Sequence, residues 1–172
     1  KVEEDRAKLC CTMLTWLLAT THRPIRDRAT KSLSSFLRPR LHLAEYLLDK
    51  FHSTDDLYIL ERLMAAIYGA VLLSTDRAKV RNVAHVVYKY FFDQKSPPVH
   101  ILMRDYAKGI IEFATTLGEK LENISLASVR PPYKSEWSVK YISEAQLEKY
   151  SYLRNGHLCK DDITLSAGSE WT

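Results

Sequence analysis

Glycine and proline are scarce, at 5 and 6 among 172 residues. Tight turns draw on those two residues, so a β-sandwich or barrel is excluded. Cysteine is scarcer still: Cys10, Cys11 and Cys159 are odd in number, and two are adjacent. That usage fits a reducing cytoplasm rather than a disulfide scaffold. Long apolar runs are missing too. The longest without a charge, Leu63–Leu73, is about half the roughly 20 residues a membrane helix needs. Lys1–Asp5 leads straight into an amphipathic pattern, so no signal peptide is expected. The first residue is Lys1 rather than Met, and the chain is expected to be a piece of a longer protein.

The motifs of chemistry are equally sparse. Gly118-Glu119-Lys120 lacks the upstream glycine and the following hydroxyl residue of a phosphate-binding loop. There is no paired-histidine zinc helix, no Cys-x-x-Cys and no nucleophile elbow. His157 and Cys159 lie two apart with no second pair of ligands near them in sequence. Asp55-Asp56 and Asp161-Asp162 read as caps and solvated turns. His22, His52 and His100 fall at helix ends, where they satisfy backbone groups or face water. Asn123-Ile124-Ser125 matches a glycosylation sequon, which is inert in a cytoplasmic protein. No catalytic residue, cofactor site or metal site is expected.

What is abundant is helical periodicity. Hydrophobic residues make up 46% and charged residues 27%, enough apolar surface for a packed core. Six helices are predicted: 5–20, 25–37, 39–52, 57–73, 77–92 and 99–117. The first carries Leu9, Met13, Leu17 and Leu18 on its main stripe, with Cys10, Leu14 and Trp16 beyond it hinting at a covered outer face. Pro24 suits the first turn of the second helix. Ser53–Asp56 and Ser74–Asp76 are capping clusters for the fourth and fifth. The fourth is apolar nearly all round and belongs at the centre. Short connections make sequential helices antiparallel neighbours.

After Gly118 the periodicity fades. Residues 5–117 are read as a helical domain and 118–172 as an extended strap with a short helix and tail. Arg130-Pro131-Pro132-Tyr133 is an extended stretch, a strap held by its rings rather than a WW-domain ligand. Ser143 and Gln146 form a capping box for a helix running to about Leu153 and stopped by Asn155-Gly156.

The strongest pattern is an internal repeat. Arg26-Asp27-Arg28-Ala29 aligns with Arg62-Leu63-Met64-Ala65 and Arg104-Asp105-Tyr106-Ala107. The arginines, like the alanines Ala29, Ala65 and Ala107, are 36 and then 42 residues apart. Such a period, with two helices per unit, predicts an all-α fold: a short α-solenoid of about three helix pairs with an irregular C-terminal extension, with an ordinary six-helix bundle as the alternative. A small residue suits a close helix crossing. An arginine one turn earlier can reach carbonyls or a carboxylate on the next unit while its stem covers apolar surface. The arrangement resembles HEAT or armadillo repeats, in which an R-x-x-A element opens the second helix.

A basic cluster, Arg23, Arg26, Arg28, Lys31, Arg38 and Arg40, is opposed only by Asp27. Phosphate contact through Arg23, Arg28, Lys31, Arg38 and Arg40 is the alternative reading. Apart from Phe36, aromatic residues for base stacking are not interleaved.

A second resemblance covers Arg23–Trp137. Asp56–Leu63, Ala66-Ile67-Tyr68-Gly69, Val99–Glu112 and Pro131-Pro132-Tyr133 with Trp137 together resemble a helical-repeat region of large bacterial proteins with a STAND-type, NACHT-like ATPase upstream. Several such proteins act in anti-phage defence. The resemblance implies a non-catalytic sensor or scaffold segment, cytoplasmic, that binds a partner protein or neighbouring domains. No membrane span and no cofactor are expected from the residues themselves.

Overall fold

A computed structural model describes residues 3–93, 97–133, 143, 145, 151–154 and 157–160. The chain divides into two compact units, Lys1–Glu136 and Trp137–Thr172.

The regular elements of the first unit's described residues are all helices. Helix α1 spans Glu4–Trp16 and tightens into a 3-10 turn at Leu17–Ala19. Helix α2 spans Arg23–Leu37, with Pro24 in its first turn, and ends in a 3-10 turn at Arg38–Arg40. Helices α3 (Leu43–Phe51), α4 (Leu57–Leu72), α5 (Arg77–Phe91) and α6 (Ile101–Thr116) follow, then a single turn, α7 (Leu126–Val129). Pro39 opens the 3-10 turn instead of α3, which therefore begins four residues later than its periodicity suggested.

Local signals set these boundaries. Asp56 accepts hydrogen bonds from the amides of Tyr58 (2.9 Å) and Ile59 (3.4 Å), capping α4. Asp76 accepts from the Lys79 amide at 3.1 Å, capping α5. The Lys79 ammonium and amide together hold the Asp76 carboxyl below its usual range. Gly118 ends α6 with φ of +79°, a left-handed cap that an L side chain rarely adopts.

The helices pack in two rows. Helices α1, α3 and α5 contact one another in sequence, and α2, α4 and α6 do the same, with α1 against α2 and α5 against α6 joining the rows. Two points of contact per pair establish that α2 and α4, α4 and α6, and α1 and α3 run parallel. On α2 and α4, Asp27 meets Arg62 while Ser34 lies against Gly69. On α4 and α6, Glu61 meets His100 while Tyr68 lies against Gly109. Glu4 meets His42 and Thr12 meets Tyr46 between α1 and α3. The same offset continues beyond α5. Arg81 reaches Glu119, His85 reaches the Glu122 carbonyl and Tyr88 reaches Ser128. Residues 119–129 thus lie along α5 as a next row member with little helix of its own.

Leu33, Leu47, Leu63, Met64, Ile67, Val87 and Ile110 lie in one continuous core. Helix α4, apolar on most sides, sits between α2 and α6 as its composition predicts.

Helix α1 corrects the sequence reading. Its inward face is Ala7, Cys11, Thr12, Thr15 and Leu18. Of the expected core stripe only Leu18 is buried: Leu9 is 68% exposed, Met13 54% and Leu17 38%, and Trp16 is 65% exposed beside them. A small-residue face lets α1 approach its neighbours closely, and that packing overrides the larger apolar stripe. Cys11, fully buried there, has its thiol pushed up to about 11 by desolvation and by Cys10 beside it. In native protein at pH 8, Cys11 is expected to react with a thiol reagent ~100-fold more slowly than an ordinary thiol, from its thiolate fraction alone. Cys10, half-exposed, reacts first. Labelling followed by peptide mapping reads this, and equal labelling would contradict the burial. Stability is complete below the ordinary thiol range and falls as pH rises through about 11, because only the unfolded thiol ionises readily in between.

The second unit holds an antiparallel two-stranded pair, β1 (Ser151–Arg154) and β2 (His157–Lys160), in which Arg154 pairs with His157 and Ser151 with Lys160. This overturns the end of the helix expected from Ser143 to Leu153. Asn155-Gly156, taken as a helix stop, is the dipeptide that favours a two-residue hairpin link. Trp137, Tyr141, Gln146 and Asp161-Asp162 lie outside the described residues.

Candidate interaction surfaces

The repeat arginines line the starts of the even-row helices, and each does the same physical job. The Nε atoms of Arg26, Arg62 and Arg104 are all buried. Each guanidinium lies over a tyrosine: Arg26 over Tyr58 at 5.2 Å, Arg62 over the same ring at 6.0 Å and Arg104 over Tyr133 at 4.6 Å. A planar, weakly hydrated cation suits that position, with its face on a ring and its edge free to donate. Arg26 donates to the carbonyls of Thr20 (2.9 Å) and Thr21 (3.2 Å), tying the turn between α1 and α2. Arg62 donates to Asp27, so it reaches back to the preceding unit. Its neighbour Glu61 reaches forward to His100 at 3.3 Å. His100 Nδ1 accepts from the Met103 amide and caps α6, which leaves Nε2–H to donate to Glu61.

Tyr133 completes this row. It covers Arg104, stacks on Phe92 at 6.4 Å and donates its hydroxyl to the Val129 carbonyl at 2.9 Å. Arg130 pairs with Glu112 at 3.0 Å. The Pro131-Pro132-Tyr133 segment is therefore bound through its ring.

Replacing Arg62 with lysine keeps the charge but loses the fork and the stacking plane. A loss of roughly 1 kcal/mol is expected. Urea denaturation checks it, and an unchanged midpoint would show that the Asp27–Arg62–Tyr58 cluster adds nothing to stability.

The repeat alanines are not equivalent. Ala29 and Ala107 are buried. Ala65 is half-buried, on the side of α4 away from the inward-facing Leu63, Ile67 and Ala70. The close approaches between even-row helices fall elsewhere. A Cβ on Gly69 would stand 2.8 Å from Ser34 Oγ, and one on Gly109 would stand 2.9 Å from Tyr68 Cε2.

The basic cluster is split by its own contacts. Arg26 is committed as described. Arg40 donates to the Phe36 carbonyl at 3.3 Å and lies over the Phe36 ring at 4.4 Å. Arg23 is exposed and stands 3.8 Å from Asp27. Arg28, Lys31 and Arg38 are exposed. Their spacing of three and seven residues puts these three on one face of α2, together with exposed Ser35.

On the odd row, an open groove of about 490 Å³ crosses α1, α3 and α5. Tyr46 forms part of its wall, with Lys8 and Lys50 each within 6 Å of the ring and Thr12 bonded to its hydroxyl. Tyr90 donates to Asp49 at 3.0 Å; burial and that carboxylate push the phenol pKa up. In this wall Glu4 pairs with His42, and the Lys8 and Lys89 ammonium groups lie near the Tyr46 and Tyr90 rings.

Among the described residues, no three His, Cys, Asp or Glu side chains are placed to hold a metal ion. No described helix is long and apolar enough to cross a membrane. No protein-family model, curated protein or solved structure matches the chain.

Tyr58, Tyr133, Asp27 and the Glu61–His100 pair escaped the sequence reading as members of one row. The available signal was Tyr58, one helical turn before Arg62 and just after a cap. Only stacking of the units brings it under Arg26 as well.

Proposed function

We propose that the helical unit is a short HEAT-like α-solenoid that works as a non-catalytic protein-interaction module. The observation that carries this reading is the repeated parallel offset within both rows, continued by residues 119–129. Each unit then touches only its neighbours, so the array presents a long surface and flexes between units. The contacts Thr12–Tyr46, Arg62–Asp27 and Glu61–His100, which join successive units, suit the reading.

The setting is part of the proposal: a sensor or scaffold segment of a larger cytoplasmic bacterial protein with a STAND-type ATPase, acting in anti-phage defence. Its support is the motif similarity over Arg23–Trp137. The test is direct binding. Proteins recovered by proximity labelling of the parent in its host are titrated calorimetrically against this chain. A stoichiometric complex that persists in 0.5 M salt on the order of its low-salt affinity supports the module. ATP turnover by the isolated chain, or binding confined to nucleic acid, overturns it.

A second reading, nucleic-acid contact, is favoured by the exposed face of Arg28, Lys31 and Arg38, with Arg23 nearby in sequence and Arg40 held against Phe36. It predicts affinity for duplex or single-stranded DNA that falls with salt by about one logarithmic unit of slope per phosphate contacted. Arg28→Glu with Lys31→Glu is expected to remove it. No binding at low salt eliminates the reading.

A further inference from the structure

The solvent side of the even row carries an apolar strip between two edges of opposite charge. On α2, Asp27 and Ser34 touch α4. Lys31 and Arg38 each follow one of them by four residues, so they stand along the solvent edge of that contact. Arg28 is exposed one turn before Lys31. Among the described residues no carboxylate pairs with Arg28, Lys31 or Arg38, and Asp27 beside them is taken by Arg23 and Arg62. On α4, Arg62 and Gly69 touch α2, while Glu61 and Tyr68 touch α6. Tyr58, Ala65 and Leu72, seven residues apart, run between those two lines of contact. Tyr58 is 41% exposed, Leu72 42% and Ala65 half-buried. At 1.5 Å per residue the strip is about 21 Å long. On α6, Asp105 is exposed four residues before Gly109, the point that meets Tyr68. Glu112 on the same edge is shared by Lys108 and Arg130, whereas Asp105 is unpaired among the described residues.

Charge and shape together select the occupant. An apolar strip at heptad spacing, laid lengthwise along one helix, matches the apolar stripe of a second helix. Three unpaired cations on the α2 edge call for carboxylates on that flank of the occupant. Asp105 on the α6 edge repels an anion on the other flank. A nucleic-acid backbone is anionic on every side and brings no apolar stripe. A helix can carry its carboxylates on one flank alone, because residues three and four apart share a face.

We infer that the even row docks an amphipathic helix of a partner protein, with its apolar stripe on Tyr58, Ala65 and Leu72 and its carboxylates against Lys31 and Arg38. The inference rests on the interaction-module reading and gives that module its surface and the chemistry of its partner. The ion pairs are exposed, so they steer and orient the partner helix, and the apolar strip holds it.

Fluorescence anisotropy of a labelled synthetic helix of about 18 residues, titrated with the 172-residue chain, tests this. The probe carries leucines at heptad spacing, glutamates along one flank and lysines along the other. Dissociation in the range of tens of micromolar is expected at about 20 mM salt. Lys31→Glu with Arg38→Glu is expected to weaken it about tenfold there and at most about threefold at about 0.5 M salt. Leu72→Ser weakens it several-fold at both. All three side chains are exposed, so the variants keep the parent circular dichroism spectrum and melting profile. Two control probes leave the protein untouched: with serine for leucine, or lysine for glutamate, binding should be at least ~10-fold weaker. No binding of the parent probe at about 500 µM overturns the inference. So does equal binding by the serine probe, or preference for duplex DNA over the parent probe, because the face would then read charge alone. A partner found for the module that binds the Lys31→Glu, Arg38→Glu variant unchanged also overturns it, while leaving the module itself standing.

Discussion

Ile67→Ala is expected to destabilise the chain by about 2–5 kcal/mol. Ile67 is fully buried on α4, the helix that packs against both α2 and α6. Truncation removes three carbons from a site lined on two sides by other helices. Neither side can close the cavity without breaking its own register, Asp27–Arg62 on one and Glu61–His100 on the other. A domain of this size is stabilised by about 5–15 kcal/mol, so the loss is a large share of the total. Urea denaturation followed by circular dichroism should show a lower midpoint at unchanged slope. A loss below about 1 kcal/mol would mean that α4 is not the centre of the core. A broadened transition would mean that the units on either side unfold separately, as repeat arrays can.

Ala107→Leu and Ala65→Leu, alike in the repeat alignment, are expected to part company. Ala107 is fully buried on α6, facing the core. Its replacement by leucine adds three carbons where no space exists, a cost of about 1–3 kcal/mol. Ala65 is only half-buried, and a leucine there can lean into solvent. Its effect is expected to stay within about 0.5 kcal/mol. Gly109 gives an independent check of the same crossing. Alanine improves helix propensity by about 1 kcal/mol but drives a methyl to 2.9 Å from the Tyr68 ring, which is held against Tyr106. Gly69→Ala meets only the rotatable hydroxyl of Ser34 and should be the more tolerated of the two. Thermal melts of the four variants rank these expectations. Equal losses at Ala65 and Ala107 would restore the simple register read from the alignment.

The contrast between those alanines shows where sequence reasoning reaches its limit. The 36- and 42-residue offsets are written in the order of residues, and the arginines obey them, because each arginine acts near the start of its own helix. The alanines obey them only partly. Which face of a helix meets its neighbour depends on a rotation about the helix axis, and a rotation of one residue exchanges Ala65 for Ala66, which is fully buried. Helix α1 shows the same limit more sharply. Of the leucines and methionine expected to face inward only Leu18 does, and alanine, cysteine and threonine fill the rest of that face. Hydrophobic size competes there with the closeness that neighbouring helices require.

The existence of α1 to α6, the ends of α2, α4 and α5 and the central place of α4 follow from short-range physics, whereas the late start of α3 and the turn α7 do not. Caps at Asp56 and Asp76, Pro24 in a first turn and a left-handed glycine at 118 act within four residues of themselves, so they are legible in a single chain. The tyrosine-covered arginine row and the outward stripe of α1 are not legible in this way. Each joins residues whose pairing depends on which surfaces are left after the other helices have packed. Arg104 meets Tyr133 across 29 positions (133 minus 104), with no local signal linking them. Local hydrogen bonds and periodicity settle the elements. Burial, shared among all of them at once, settles which faces meet and which remain open to a partner.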